Sequence, residues 1–475
     1  MSLRPERSHD FRWGIERETH RVLPNGSLSP TPHPVSLKAP EFTKDFAESQ
    51  LELVTGPRGS IAEAVGELEE LTKAARGAIG DELLWPFSMP PLLADGEAIR
   101  TARMGSGEGA RLAERYRAGL SARYGAARQL ICGVHVNVSF GDGLLEDLRV
   151  RSPLAEEETS GVKEAFAGGK GSETGASFAG GERDVRALRD AYYLRLVRNL
   201  FDDLPSLVML FGATPFDASA RDASGLRIRV PGESGFAYSV RNSPRGYART
   251  EYRPFLDLDS IANHIAGIRR GMNTESAVFG KLGLIRDGRP VQLNGRFFQK
   301  EKEFYAPIRF KRTPLRGESA LRAIERRGVE YIELRFFDVD PFAPAGITED
   351  ALDLAHLFIL DGLARVSTAR GREAIAKSLR RADEAALSDP FMSESGNVHL
   401  ASLLRRLDSL EPIAREAGAA YERALEAYRE RFARTGGSPS AALALGFLER
   451  GLEWNRYGAQ GAPMKIQGEG YGFSA

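Results

Sequence analysis

Two glutamates two residues apart, in the stretch Trp13-Gly14-Ile15-Glu16-Arg17-Glu18-Thr19, carry chemistry that the rest of the chain has to position. If this segment is extended, both carboxylates leave one face about 7 Å apart, while Ile15 and Arg17 take the other. The alternation returns at Gln50-Leu51-Glu52-Leu53-Val54, at Gly133-Val134-His135-Val136-Asn137-Val138 and at Tyr331-Ile332-Glu333-Leu334-Arg335. Each reads as an antiparallel strand with an apolar face for a core and a polar face for solvent or a ligand. Strands of one sheet with their polar faces aligned would bring Glu16, Glu18, Glu52, His135 and Glu333 together, with Arg335 beside them. Two carboxylates 5 Å apart repel by about 3 kcal/mol at an effective dielectric near 20, so such a cluster calls for divalent cations. Glu16 and Glu18 alone would read better as an ordinary solvated sheet face.

The elements that must hold these residues follow from the rest of the chain. Its 475 residues are 42% hydrophobic and 27% charged, ordinary globular values with ample material for a large core. Length alone suggests two or three domains, but related strands spread from residue 14 to residue 335 argue that one domain spans most of the chain. Sixty-five basic and 65 acidic residues cancel, so no global field points to nucleic acid or an anionic membrane. Met1 to Arg7 lacks the apolar core of a signal peptide, and the longest apolar run, Leu207 to Ala213, is too short to span a bilayer; a cytoplasmic location is expected. The single cysteine, Cys132, excludes an internal disulfide and reads as a small core residue.

Pro24-Asn25-Gly26-Ser27 reads as a turn and Pro30 to Pro40 as an extended loop. Ile61, Val65, Leu68, Leu71 and Ala75 fall at helical spacing and predict a helix over the apolar face of the sheet. Gly105 to Gly109 lacks the lysine of a phosphate-binding loop, and the spacing around Gly169-Lys170 fails that motif too. Residues 161 to 182 read as a mobile glycine-rich loop, and Tyr116 to Tyr124 as a short helix or loop. Val185, Leu188, Tyr192, Leu196 and Leu200 predict an amphipathic helix whose Arg186, Arg195 and Arg198 form a solvated face. Val291 to Asn294 and Phe304 to Arg309 look strand-like. From Asp350 onward, leucines and aromatics at helical spacing predict a mainly helical third.

Seven blocks, in order and at matching spacing, give a resemblance. They are Gly14-Ile15-Glu16-Arg17-Glu18, Asp45-Phe46-Ala47-Glu48 with Glu52, Trp85-Pro86-Phe87-Ser88-Met89-Pro90, Tyr116-Arg117-Ala118-Gly119-Leu120, Gly133-Val134-His135-Val136-Asn137, Tyr305-Ala306-Pro307-Ile308-Arg309 and Glu330-Tyr331-Ile332-Glu333-Leu334-Arg335. Over roughly residues 12 to 365 the chain resembles bacterial glutamate-cysteine ligase of the proteobacterial type. The resemblance implies an α+β, glutamine-synthetase-like fold, an antiparallel sheet forming a funnel backed by helices. Residues 1–345 would form the catalytic domain, 346–450 a helical region packed on it, and 451–475 a Gly-rich tail.

The implied reaction joins the γ-carboxylate of glutamate to the amine of L-cysteine, with ATP cleaved to ADP, as the first step of glutathione synthesis. ATP is a co-substrate and Mg²⁺ the expected cation, with Mn²⁺ a substitute where a histidine takes part. Carried over residue by residue, Glu16, Glu18, Asp45, Glu52, His135 and Glu333 match metal positions, and Arg335 the arginine that meets the transferred phosphate, with Glu333 beside it. Phe46, Tyr116, Leu120, Gln129, Arg241, Tyr247 and Tyr305 match the cysteine pocket. Asn137 shares the face of His135, and Arg309 and Lys311 are candidates to hold phosphates or a substrate carboxylate. Between Arg241 and Tyr247, Asn242-Ser243-Pro244-Arg245 departs from the family pattern. Two other readings compete: a ligase joining glutamate to a different amine, which would change only the pocket, and a silent binding protein, which loss of a cluster acid would have favoured.

Overall fold

The computed structural model describes residues 10–38, 40–93, 98–155, 158, 182–216, 234–246, 250–367, 371–450 and 454–460, with the backbone of 466–467 and 470–471. Its strands are β1 (Phe11–Val22), β2 (Phe42–Lys44), β3 (Gln50–Val54), β4 (Leu83–Leu84) and β5 (Val134–Phe140), then a separate hairpin of β6 (Ile285–Arg286) and β7 (Arg289–Pro290), then β8 (Ile308–Lys311) and β9 (Tyr331–Phe337). The main sheet runs β2-β3-β1-β5-β9-β8, with β4 on β1. Every pairing in it is antiparallel. The alternation seen in the sequence places Trp13, Ile15, Leu51, Leu53, Val134, Val136, Val138, Ile332 and Leu334 in one core. Their polar neighbours therefore share the opposite face.

Helices cover the apolar face. Ile61–Ala78 begins at Ser60, whose hydroxyl accepts from the Glu63 N–H, and buries Ala64, Leu68 and Ala75. Glu182–Leu210 adds Tyr192, Leu196, Leu200, Phe201 and Leu204, and Glu349–Ala364 adds Leu354, Leu357 and Phe358 to the same core. His356 of the latter sets its ring edge on Phe11 and Trp13, at 4.4 and 5.0 Å between centroids. Arg17 is the polar exception on this side. It is buried, donates to the Thr72 hydroxyl at 3.3 Å and to the Pro344 carbonyl at 2.9 Å, and burial and Arg76 lower its pKa to about 10. No helix among the described residues is long and apolar enough to cross a membrane.

Several expectations need correction. Tyr116 and Tyr124 belong to one long helix, Glu108–Tyr124, and Val291 to Asn294 form irregular backbone rather than a strand. Arg195 and Arg198 are buried, not solvated: Arg195 pairs with Glu158 at 2.5 Å and Arg198 donates to the Leu258 carbonyl at 2.7 Å. The C-terminal segment does not begin as a tail. Helix Trp454–Ala459 buries Trp454 and Tyr457, with the Trp454 ring 4.5 Å from Phe87 and its indole N–H on the Pro90 carbonyl. The glycines that follow obscured this apolar pair in the sequence. The predicted loop 161–182 lies, apart from the backbone of Glu182, outside the described residues, as does Tyr247.

Candidate active site

Strand register assembles the acids. Glu18 stands opposite Glu52 across β1 and β3, Glu16 opposite His135 across β1 and β5, Asn137 opposite Glu333 across β5 and β9, and Glu333 opposite Arg309 across β9 and β8. Because side chains alternate, all of these fall on the face away from the helices. Ligand atoms of Glu16, His135 and Glu333 lie within 4.8 Å of one another. His135 Nδ1 is 3.6 Å from Glu16 and Nε2 is 4.0 Å from Glu18. Asn137 donates to Glu16 at 2.8 Å, the Gly133 N–H donates to Glu18 at 2.8 Å, and the Thr43 hydroxyl donates to Glu52.

The pairing of β5 with β9 shifts between Val134 and Val136, where Arg335 and Phe336 together oppose His135. Such an irregularity re-aims side chains, and here it sets the Arg335 guanidinium 3.3 Å from His135 Nδ1 and 3.2 Å from Glu333. Lys311 at 3.3 Å and Arg309 at 3.7 Å complete a ring of cations around Glu333.

Charge is therefore unevenly compensated across the face. Burial pushes the Glu333 carboxyl up, but Lys311, Arg335 and Arg309 outweigh it and hold the group well below the usual range. Glu16 is half-buried; desolvation raises its carboxyl, yet the contact with His135 outweighs it and keeps its pKa low. On the other side the cations are outweighed: burial, Asp45 and Glu52 push Glu18 well above its ordinary value despite Arg241 and Arg335, and burial, Asp45 and Glu16 push Glu52 up to about 7 despite the Thr43 hydroxyl and Arg335. His135, lowered to about 4 by burial and by Arg335, is a neutral imidazole near neutrality. Its Nε2 and Glu333 Oε2 are buried without hydrogen-bond partners. A neutral ring nitrogen, buried carboxylate oxygens and uncompensated acids are a donor set that suits hard divalent cations.

A second region adjoins this face. Phe46, Tyr116, Leu120 and Leu130 form a small buried apolar cluster, and Gln129 is buried close by in sequence with its side-chain N–H₂ unused. Arg241, Tyr305 and Arg335 line a common cavity of about 40 Å³, and the Arg309 guanidinium lies 5.5 Å from the centre of the Tyr305 ring. A larger cavity of about 540 Å³ sits between Glu182–Leu210 and helix Ile261–Asn273 and touches none of these residues.

Two contributors were not singled out in the sequence. Gly133 leaves no room for a Cβ because the Arg241 guanidinium lies directly against it. Asp338, just past β9, is buried and accepts from the Ala213 N–H and the Thr214 and Ser239 hydroxyls, and its other oxygen is 3.5 Å from Arg241. A buried aspartate three residues after Arg335 was the available signal.

Comparisons with known proteins find relatives over most of the chain. The family model for glutamate-cysteine ligase matches residues 4–166 and 175–383. A glutamate–cysteine ligase of Clostridium acetobutylicum is 34% identical over 364 residues, 73% of this chain and 70% of that protein. One of Edwardsiella ictaluri is 35% identical over 373 residues, 76% of this chain and 66% of its own length. The crystal structure of a glutamate–cysteine ligase from Francisella tularensis in complex with AMP superposes with a TM-score of 0.77 at 26% identity, over 95% of this chain and 87% of that one. With a match over most of its length and the antiparallel sheet that carries the acids, the chain belongs to the glutamate-cysteine ligase family.

Proposed function

We propose that this protein joins the γ-carboxylate of L-glutamate to the amine of L-cysteine, with ATP cleaved to ADP, and does so in the cytoplasm. The observation that carries the reading is the split face: uncompensated acids on β1 and β3, and three cations around Glu333 on β8 and β9. A carboxylate is a poor electrophile until phosphorylated, and bringing two anions together needs positive charge fixed in advance. Bound Mg²⁺, held by Glu16, Glu18, Asp45, Glu52, His135 and Glu333, would draw the negative charge off the phosphates and the γ-carboxylate.

The chain's own groups do the rest. Arg335 is held by Glu333 and faces the cavity, so its planar fork meets negative charge building on the transferred phosphoryl group without reorganising. Lys311 and Arg309 add fixed charge behind it. His135, held neutral by burial and Arg335, is a weak base with a ring nitrogen free to serve as a ligand. Arg241 and Tyr305 wall the pocket in which the thiol-bearing amine would attack the γ-glutamyl phosphate, and the apolar cluster of Phe46, Tyr116 and Leu120 would supply contacts for the thiol.

The test is ADP release by purified protein given ATP, Mg²⁺ and glutamate, with cysteine, 2-aminobutyrate and other amines offered in turn. Turnover that needs glutamate, is fastest with cysteine and collapses in Glu333→Gln supports the reading. Preference for another amine would overturn the pocket assignment, and no turnover with any amine would overturn the activity.

A further inference from the structure

The stretch Asn242-Ser243-Pro244-Arg245 departs from the family pattern, and its first residue sits among the groups of the site. Asn242 is half-buried and lines the same small cavity as Arg241, Tyr305 and Arg335. Its Nδ2 donates to the Phe336 carbonyl at 2.8 Å, to the Ser239 hydroxyl at 2.9 Å and to Asp338 at 3.2 Å. A backbone carbonyl and a carboxylate only accept, so the N–H₂ end of the amide is the end that must face them. Phe336 follows Arg335 directly in β9, and Arg241 directly precedes Asn242. One amide therefore ties a wall of the pocket to the strand that carries Arg335.

Asp338 is the hub of this link. One of its oxygens takes the Ala213 N–H and the Thr214 and Ser239 hydroxyls, and the other lies 3.2 Å from Asn242 and 3.5 Å from Arg241. The Thr214 hydroxyl in turn accepts from the Arg241 N–H at 3.0 Å. The two sides of the link differ in stiffness. β9 is paired on both edges, with β5 and with β8, so it cannot shift without breaking ladder hydrogen bonds. The stretch after Asn242 turns on itself: the Ser243 N–H donates to the Val240 carbonyl and the Gly246 N–H to the Ser243 carbonyl. When the amide is removed, the turn, and with it the reach of Arg241, is the side that gives way.

We propose that Asn242 is a positioning residue that keeps the acceptor amine in line with the γ-glutamyl phosphate, by fixing Arg241 and its turn against the strand of Arg335. The inference rests on the function proposed above, and it concerns the fate of the activated intermediate. Attack of the amine nitrogen on the acyl carbon breaks the C–O bond to phosphate and forms the amide, with the amine proton leaving on the phosphate. Attack of water breaks the same bond and returns glutamate and phosphate, so ATP is cleaved without product. An amine held about 3–3.5 Å from the acyl carbon wins this competition, and one displaced by about 1 Å loses much of its advantage.

The experiment measures ADP and γ-glutamylcysteine together in wild type, Asn242→Ala and Asn242→Asp, with ATP, Mg²⁺, glutamate and saturating cysteine. Wild type should release about one ADP per amide formed. In Asn242→Ala, product formation should fall about 10-fold, the factor that a lost hydrogen bond to a buried acceptor carries, and ADP release should fall less, raising the ratio above about 2. Asn242→Asp keeps the shape but sets a carboxylate oxygen against the Phe336 carbonyl and Asp338, so its ratio should rise further. Both products come from the same molecules, so a loss of folded protein lowers the two together and leaves the ratio unchanged. A ratio that stays near one in both variants would overturn the inference, however far the rates fall. If wild type couples ADP release to another amine, the cysteine reading fails and the ratio, read with that amine, decides on Asn242. No wild-type turnover with any amine would overturn both.

Discussion

Replacing Glu52 by glutamine should make the metal-free protein more stable while disabling it. Glu52 stands opposite Glu18 and near Asp45, with burial as the largest influence, and its carboxyl is held at about 7 where an ordinary one lies at 4.5. The sign follows from proton counting. Between those values the folded state holds a proton that the unfolded state has released, so stability falls as pH rises through that window. Above it the folded protein carries the whole cost, about 3 kcal/mol, which sharing of protons within the cluster reduces to about 1–3 kcal/mol. Urea unfolding of wild type and Glu52→Gln with chelator, at about pH 5 and about pH 8, reads the effect as a difference between the two proteins. The variant should gain about 1–3 kcal/mol at the higher pH and little at the lower. Millimolar Mg²⁺ should stabilise wild type by mass action and the variant less. A variant less stable than wild type at the higher pH in chelator, or a difference that does not depend on pH, would refute the account of Glu52 as an uncompensated acid.

Arg335→Lys keeps a charge near Glu333 but loses the planar fork, so kcat should fall about 10²- to 10³-fold with KM for glutamate within about threefold; steady-state kinetics check it, and a change in KM alone would make Arg335 a binding group only. Gly133→Ala puts a methyl group where the Arg241 guanidinium lies. It should lower stability by about 1–3 kcal/mol and kcat/KM by at least tenfold, and a crystal structure of the variant should show Arg241 displaced. Trp454→Ala removes a ring stacked on Phe87 and edge-on to Trp85 and Phe216, at a cost of about 3–5 kcal/mol in urea unfolding; a loss below about 1 kcal/mol would return this helix to the status of a tail.

What the sequence by itself determined is the sheet and the inventory of its polar face. Alternation with period two in four short segments is a local property, set by how a pleated strand presents its side chains, so Glu16, Glu18, Glu52, His135, Glu333 and Arg335 could be read off the chain before any contact was known. The same logic gave helix Ile61–Ala78. It failed where burial is decided by partners far away in sequence. Arg195 and Arg198 looked solvated because nothing local shows that Glu158 and the carbonyls of residues 258 and 259 wait for them. Trp454 and Tyr457 were masked by neighbouring glycines because their docking site, Trp85 and Phe87, is some 370 positions earlier in the chain. Only the tertiary structure decided how far each acid is compensated: Glu333 meets three cations from β8 and β9, whereas for Glu18 and Glu52 burial and the neighbouring acids outweigh the arginines within reach. Charge compensation falls off over a few ångströms of space, and sequence spacing does not measure that distance.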